Sequence, residues 1–89
     1  MTEEQIRGII VQCLQQPLKR HGYDPSSVND DVDLLQQGII DSFDFINLIE
    51  ELEVKCEASI DITRLDDEGM TTLGGLTREV QRIIQSQRG

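Results

Sequence analysis

The sequence has no tryptophan, one tyrosine and two phenylalanines in 89 residues, so leucine, isoleucine and valine must build its core. A chain of this length makes one small domain, expected over residues 1–89, with a modest core and no room for a deep active site. It has a single histidine, His21, beside Lys19 and Arg20. Its two cysteines, Cys13 and Cys56, have no metal-ligand neighbour at a usual spacing. Both fall on apolar helical faces and read as buried thiols of a reducing compartment. Asp30, Asp31 and Asp33 are dense, but they lack the ligand spacing, central glycine and final glutamate of an EF-hand loop, so no metal site is expected. No apolar run approaches the roughly 20 residues that cross a bilayer. The N-terminus MTEEQ is acidic where a secretory signal is basic and then apolar. A cytoplasmic protein without membrane insertion is expected.

Basic residues are also scarce, and unevenly so. The formal net charge is −9. Fourteen of the seventeen acids lie between Asp24 and Met70, where Lys55 and Arg64 are the only bases; that segment carries −12, and the two ends together carry +3. Such a field repels nucleic acid and anionic lipid and favours basic protein surfaces.

What is present is helical periodicity. Thr2 can cap a first helix whose opening turn holds Glu3 and Glu4, with Ile6, Ile9, Ile10, Cys13 and Leu14 on one face. Pro17 is expected to end or kink it near Gln16. Residues 19–40 read as a long connection rich in turn formers, anchored by Val28, Val32, Leu34 and Leu35. A second helix begins at Asp41 or Ser42 and runs to about Lys55. Phe45, Leu48, Ile49, Leu52 and Cys56 give it one continuous apolar stripe, with Phe43 and Ile46 outside it. A short third helix is expected over 61–68, with Leu65 inward and Gly69 as its stop. Thr71 or Thr72 then caps a last helix with Leu73, Leu76, Val80, Ile83 and Ile84 inward. Gly74 and Gly75 each cost that helix about 1 kcal/mol against alanine, so its start is expected to fray. No strand competes. The expected fold is all-α: a small four-helix bundle of three main amphipathic helices and a short third one, with a long loop between helices 1 and 2.

Ser42 stands at the join of that loop and the acidic second helix. As a nucleophile it would need a base and an oxyanion hole, and nothing aims His21 at it. As structure alone, Asp41–Ser42 is a good helix start, with Asp41 as N-cap and Asp44 facing the dipole. Phe43 and Ile46, large apolar residues beside acids and outside the stripe, add the look of a docking surface.

The stretch LLQQGIIDSFDFINLIEELE resembles the acyl carrier protein family, whose signature is Asp-Ser-Leu at the start of an acidic second helix, preceded by a glycine–hydrophobic pair. The resemblance covers nearly the whole chain. It implies a carrier and not an enzyme. Ser42 would bear 4′-phosphopantetheine, delivered from coenzyme A by a phosphopantetheinyl transferase, and the arm's thiol would hold acyl cargo as a thioester. Asp41, Phe43, Asp44, Ile46, Glu50 and Glu53 would meet the basic docking patches of a loading ligase or transferase and of synthase or acyltransferase partners. A monomer is expected of such a shuttle.

The chain also departs from the family pattern. Phe43 replaces leucine, Asn47 and Glu50 stand where fatty-acid carriers often have an acid and an apolar residue, and Cys56 takes a position usually held by a core phenylalanine. These departures weaken the case for a housekeeping fatty-acid carrier and point to a stand-alone carrier of a dedicated pathway with its own loading enzyme, within the range of fatty-acid, polyketide or specialised biosynthesis that the resemblance implies. The alternatives are an aminoacyl or D-alanyl carrier, or an unmodified adaptor that binds a basic partner. Because the clustered acids repel one another and salt screens them, the melting temperature is expected to rise with added NaCl or Mg²⁺. A thermal scan series that stays flat would contradict this.

Overall fold

The computed structural model describes residues 2–60 and 71–88. Among them the fold is all helical: α1 (Glu3–Cys13), α2 (Gln15–Arg20), α3 (Ser42–Cys56) and α4 (Leu73–Arg88). Asp33 and Thr72 form an isolated antiparallel bridge, and no strand occurs among the described residues. The short helix expected over 61–68, with Leu65 and Gly69, lies outside the described residues.

α1 opens as expected. The Thr2 side chain accepts from the Gln5 N–H, and the Gln5 side chain accepts from the Thr2 N–H, closing a capping box. Its end is corrected: the helix stops at Cys13, and α2 begins at Gln15, so Pro17 lies inside a second helix instead of at a terminus. Pro17 has no N–H to give the Cys13 carbonyl, and the chain breaks at Leu14 (φ −99°, ψ 9°), one turn upstream. As the third residue of α2, Pro17 occupies a position whose N–H has no helical partner anyway. The long connection therefore starts at His21, not at residue 19.

α1 packs against both α3 and α4. The core is aliphatic: Ile6, Ile10 and Leu18 meet Leu34, the α3 stripe and the inward face of α4, with Phe45 as the buried aromatic. Val28, Val32 and Leu34 anchor the loop in this core as expected, while Leu35 is half-buried. Cys56 is buried; Cys13 is only half-buried, because it lies on the flank of α1 beside the break. The whole described core is continuous, so a large-to-small change such as Leu52→Ala would cost on the order of 2–5 kcal/mol.

The start of α4 is fixed, not frayed. Leu73 N–H donates to Val32 O (3.0 Å), Gly74 N–H to Asp30 O (3.0 Å), Gly75 N–H to Thr72 Oγ1 (3.0 Å) and Leu76 N–H to Thr72 O (2.9 Å). Thr72 is thus the cap, and Thr71 instead donates its hydroxyl to the Asp33 carboxylate (2.9 Å). Gly74 is required by proximity: a Cβ there would fall 2.8 Å from Asp30 Cβ. Later in α4, Thr77 and Glu79 are buried; Thr77 donates to Leu73 O (2.7 Å), and Glu79 pairs with Arg82. Arg82 therefore answers a buried carboxylate as well as the helix dipole.

Two glycine substitutions separate propensity from packing. Gly8, exposed on α1, has open space where a Cβ would stand, so Gly8→Ala is expected to stabilise by about 0.5–1 kcal/mol. Gly74→Ala should destabilise by about 1–3 kcal/mol despite its better helix propensity. Chemical denaturation of the two variants beside the parent checks both signs.

Candidate functional site

The site is built from the end of the loop upward. Asp33 organises this end: its carboxylate accepts from the N–H groups of Leu35 (3.1 Å) and Gln36 (2.9 Å) and from the Thr71 hydroxyl. Leu34 N–H donates to Thr71 O (2.9 Å), so the loop is tied to the residues before α4 on both sides. Gly38 has φ +71°, a left-handed conformation that glycine adopts without strain. The turn it makes sends Ile39 and Ile40 into the core, and Ile40 N–H returns to Leu34 O (3.1 Å). Two buried isoleucines thus hold the chain immediately before α3.

Asp41 is the N-cap of α3. Its carboxylate accepts from the Asp44 N–H (2.8 Å), and the Asp44 carboxylate reaches back toward the Asp41 N–H at 3.5 Å. Asp41 O accepts from Phe45 N–H (2.9 Å). The N–H groups of Ser42 and Phe43 have no hydrogen-bond partner among the described residues. They lie at the positive end of a 15-residue helix. Ser42 is exposed, and its hydroxyl makes no hydrogen bond among the described residues. His21 ends α2 and is also exposed; no contact joins it to Ser42. The arrangement presents a hydroxyl beside two free donors but does not activate that hydroxyl.

The other expected contact residues lie along α3. Phe43 is 79% exposed and Ile46 39%. At about 100° per residue, Phe43, Ile46 and Glu50 share the side of α3 opposite the buried stripe. Val54, 78% exposed, extends this second stripe by one turn. The sequence reading missed it, although its position eleven residues after Phe43 repeats the helical period. Asp41 and Asp44 are exposed but engaged in the capping box, and Glu50 is exposed. Glu53 differs: it is half-buried and accepts the Ile60 N–H (3.0 Å). Together with the mutual hydrogen bonds of Gln87 and Ser59, it ties the segment after α3 back onto the bundle. Glu57, the C-cap, is left-handed at φ 51°.

Beside the site, a groove of about 230 Å³ runs between the α1–α2 break and α3. Burial pushes the Cys13 thiol on its wall up to about 11; a hydrogen bond to Glu51 adds to the shift and Lys55 opposes it. The Cys13 thiol is therefore fully protonated near neutral pH and a poor nucleophile. Among the described residues no cluster of histidine, cysteine and carboxylate side chains could hold a metal ion, and no helix is long and apolar enough to cross a membrane.

The phosphopantetheine attachment site family model matches residues 8–80. No curated protein and no solved structure matches the chain significantly. The family match spans most of the chain, including the whole loop, Ser42 and α3, and the chain belongs to this family of phosphopantetheine carrier domains. The family's cofactor is 4′-phosphopantetheine, held covalently. The start of α3 fits such a group, with its free hydroxyl and two unpartnered N–H donors at a positive helix end.

The cap is the part of this geometry most open to a single change. Asp41→Ala removes the acceptor for the Asp44 N–H and is expected to cost about 1 kcal/mol. For a domain of this size that lowers the melting temperature by about 4–8 °C, which a calorimetric scan would read.

Proposed function

We propose that, as a member of this family, the protein carries 4′-phosphopantetheine on Ser42 and shuttles thioester-bound acyl intermediates between the enzymes of a dedicated biosynthetic pathway. The observation that supports this most is the exposed, unengaged Ser42 hydroxyl beside two free N–H groups, at the family's attachment region. In the transfer, the Ser42 oxygen forms a bond to phosphorus as the pyrophosphate bond of coenzyme A breaks. The hydroxyl proton and the nucleotide leave. The basic groups that take the proton belong to the transferase, since none touches Ser42 here. The added phosphodiester would sit at the helix N-terminus, where the dipole and free donors offset the neighbouring Asp41 and Asp44. The cofactor then supplies thiol chemistry, and the protein supplies presentation.

The stripe of Phe43, Ile46 and Glu50, with Asp41 and Asp44 at its head, is the surface we assign to docking on basic enzyme patches. Glu53 contributes to it more weakly, because its carboxylate already holds the Ile60 N–H. Charge steers such an encounter and salt screens it, so docking is fast and readily reversed. A cytoplasmic monomer that does no turnover of its own fits this role. Phe43, where the family has leucine, supports a specialised set of partners over a general fatty-acid pathway.

Intact mass after incubation with coenzyme A and a broad-specificity phosphopantetheinyl transferase tests the reading. The parent should gain one phosphopantetheinyl group, and Ser42→Ala should gain none while melting at the same temperature. A folded parent that no transferase modifies would instead favour an unmodified adaptor. Phe43→Ala should be modified or loaded about tenfold less efficiently, the equivalent of ~1.4 kcal/mol of lost docking energy.

A further inference from the structure

The groove between the α1–α2 break and α3 is adjacent to Ser42; it shares Asp44 with the proposed docking surface, and Phe43, Ile46 and Glu50 do not line it. Its walls include Ile40 and Asp44, which flank Ser42 on either side in sequence. One turn farther along α3 they include Asn47 and Leu48, and across the gap Leu14 and Arg20. The gap follows from the backbone: α1 stops at Cys13, the chain turns at Leu14, and α2 leaves Pro17 and Arg20 on the far wall.

Three properties of this groove bear on what it holds. Its floor is aliphatic, from Leu14, Ile40 and Leu48, and its rim is polar. Its volume of about 230 Å³ is smaller than the ~300–1,000 Å³ that seats a drug-sized ligand, so it suits a slender chain. Its charge is the third property. The acids Asp44 and Glu51 line it, and Arg20 is the cation on its rim. Arg20 makes no ion pair among the described residues, and the Asn47 side chain makes no hydrogen bond among them. A phosphodiester beside Asp41 and Asp44 meets like charge, which the helix N-terminus offsets and a nearby cation would offset further.

We propose that this groove is the resting seat of the pantetheine arm, with Arg20 as counter-ion to the phosphodiester and Asn47 as hydrogen-bond partner to the arm's amides. The inference rests on Ser42 being the attachment point. The slender arm has amide groups that match the polar rim and a branched aliphatic portion that matches the floor. Seated there, it would lie on the flank of α3 that Asn47 and Glu51 share with the exposed stripe, and Phe43 and Ile46, which do not line the groove, would stay uncovered. Arg20 and Asn47 are positioning residues: they bias where the arm rests and take no part in thioester chemistry.

The test compares amide NMR spectra of the unmodified and phosphopantetheinylated protein, with Asn47→Trp and Arg20→Glu beside the parent. Both positions are exposed, so both variants should fold, and circular dichroism checks that they do. On modification of the parent, amide shifts should change at Leu14, Arg20 and Asn47 as well as near Ser42. In both variants the remote changes should vanish while those near Ser42 persist. An arm seated two-thirds of the time should be alkylated about threefold more slowly at its thiol than the arm of Asn47→Trp. Mass mapping separates that thiol from Cys13, whose thiol is pushed up to about 11. Shift changes confined to the neighbourhood of Ser42, remote changes that survive Asn47→Trp, or equal alkylation rates would overturn the groove assignment and leave the carrier reading standing. Failure of the parent to gain the group at all would overturn both.

Discussion

Presentation of Ser42 depends on one tether, the attachment of the long loop to the start of α4. The first two N–H groups of α4 donate to the Val32 and Asp30 carbonyls, the Leu34 N–H donates to the Thr71 carbonyl, and the Asp33 carboxylate accepts from two loop N–H groups and the Thr71 hydroxyl. Each bond satisfies a donor or acceptor that a loop or a helix end would otherwise leave open. Arg7 adds a third point, reaching from α1 to the Asp30 carboxylate (2.6 Å) and the Val28 carbonyl (2.5 Å). With 30–34 held, the Gly38 turn can place Ile39 and Ile40 in the core, and α3 starts from a fixed point. The serine itself is unconstrained, but everything immediately before it is anchored.

Much of this was legible in the sequence because it follows from period and caps. The α3 stripe, the Thr2 cap, the Asp41–Asp44 box and the loop anchors Val28, Val32 and Leu34 were each readable from residue type and spacing. The position of the break at Leu14 was not, because Pro17 shows that a hydrogen bond is missing but does not say which side of it the helix yields. The tight start of α4 was misread for a related reason. Gly74 and Gly75 weaken a helix considered alone, but the approach of Asp30 that makes Gly74 necessary is a tertiary contact. Buried Glu79 gave no sequence signal apart from an arginine three residues later. The hydrogen bond from the Ile60 N–H to Glu53 was hidden because an acid on an acidic helix looks solvated until the segment that folds back onto it is seen.

The acidity of the chain also divides by role in the structure. Asp30, Asp33, Asp41, Asp44 and Glu53 hold backbone groups or a cation of their own fold. Glu50 has no such duty among the described residues and is free to face a partner. A count of negative charge therefore overstates the acidic surface left unengaged, and the proposed docking surface would owe more of its identity to the exposed apolar residues Phe43, Ile46 and Val54.

α3 keeps its two apolar stripes on opposite sides, one buried and one in water. A change on the buried side must be repaid by repacking three helices. A change at Phe43 or Val54 touches nothing inside. If the exposed stripe reads partners as proposed, lineages of such a chain could drift toward new enzymes one exposed side chain at a time, with partner choice and thermal robustness inherited as nearly separate traits.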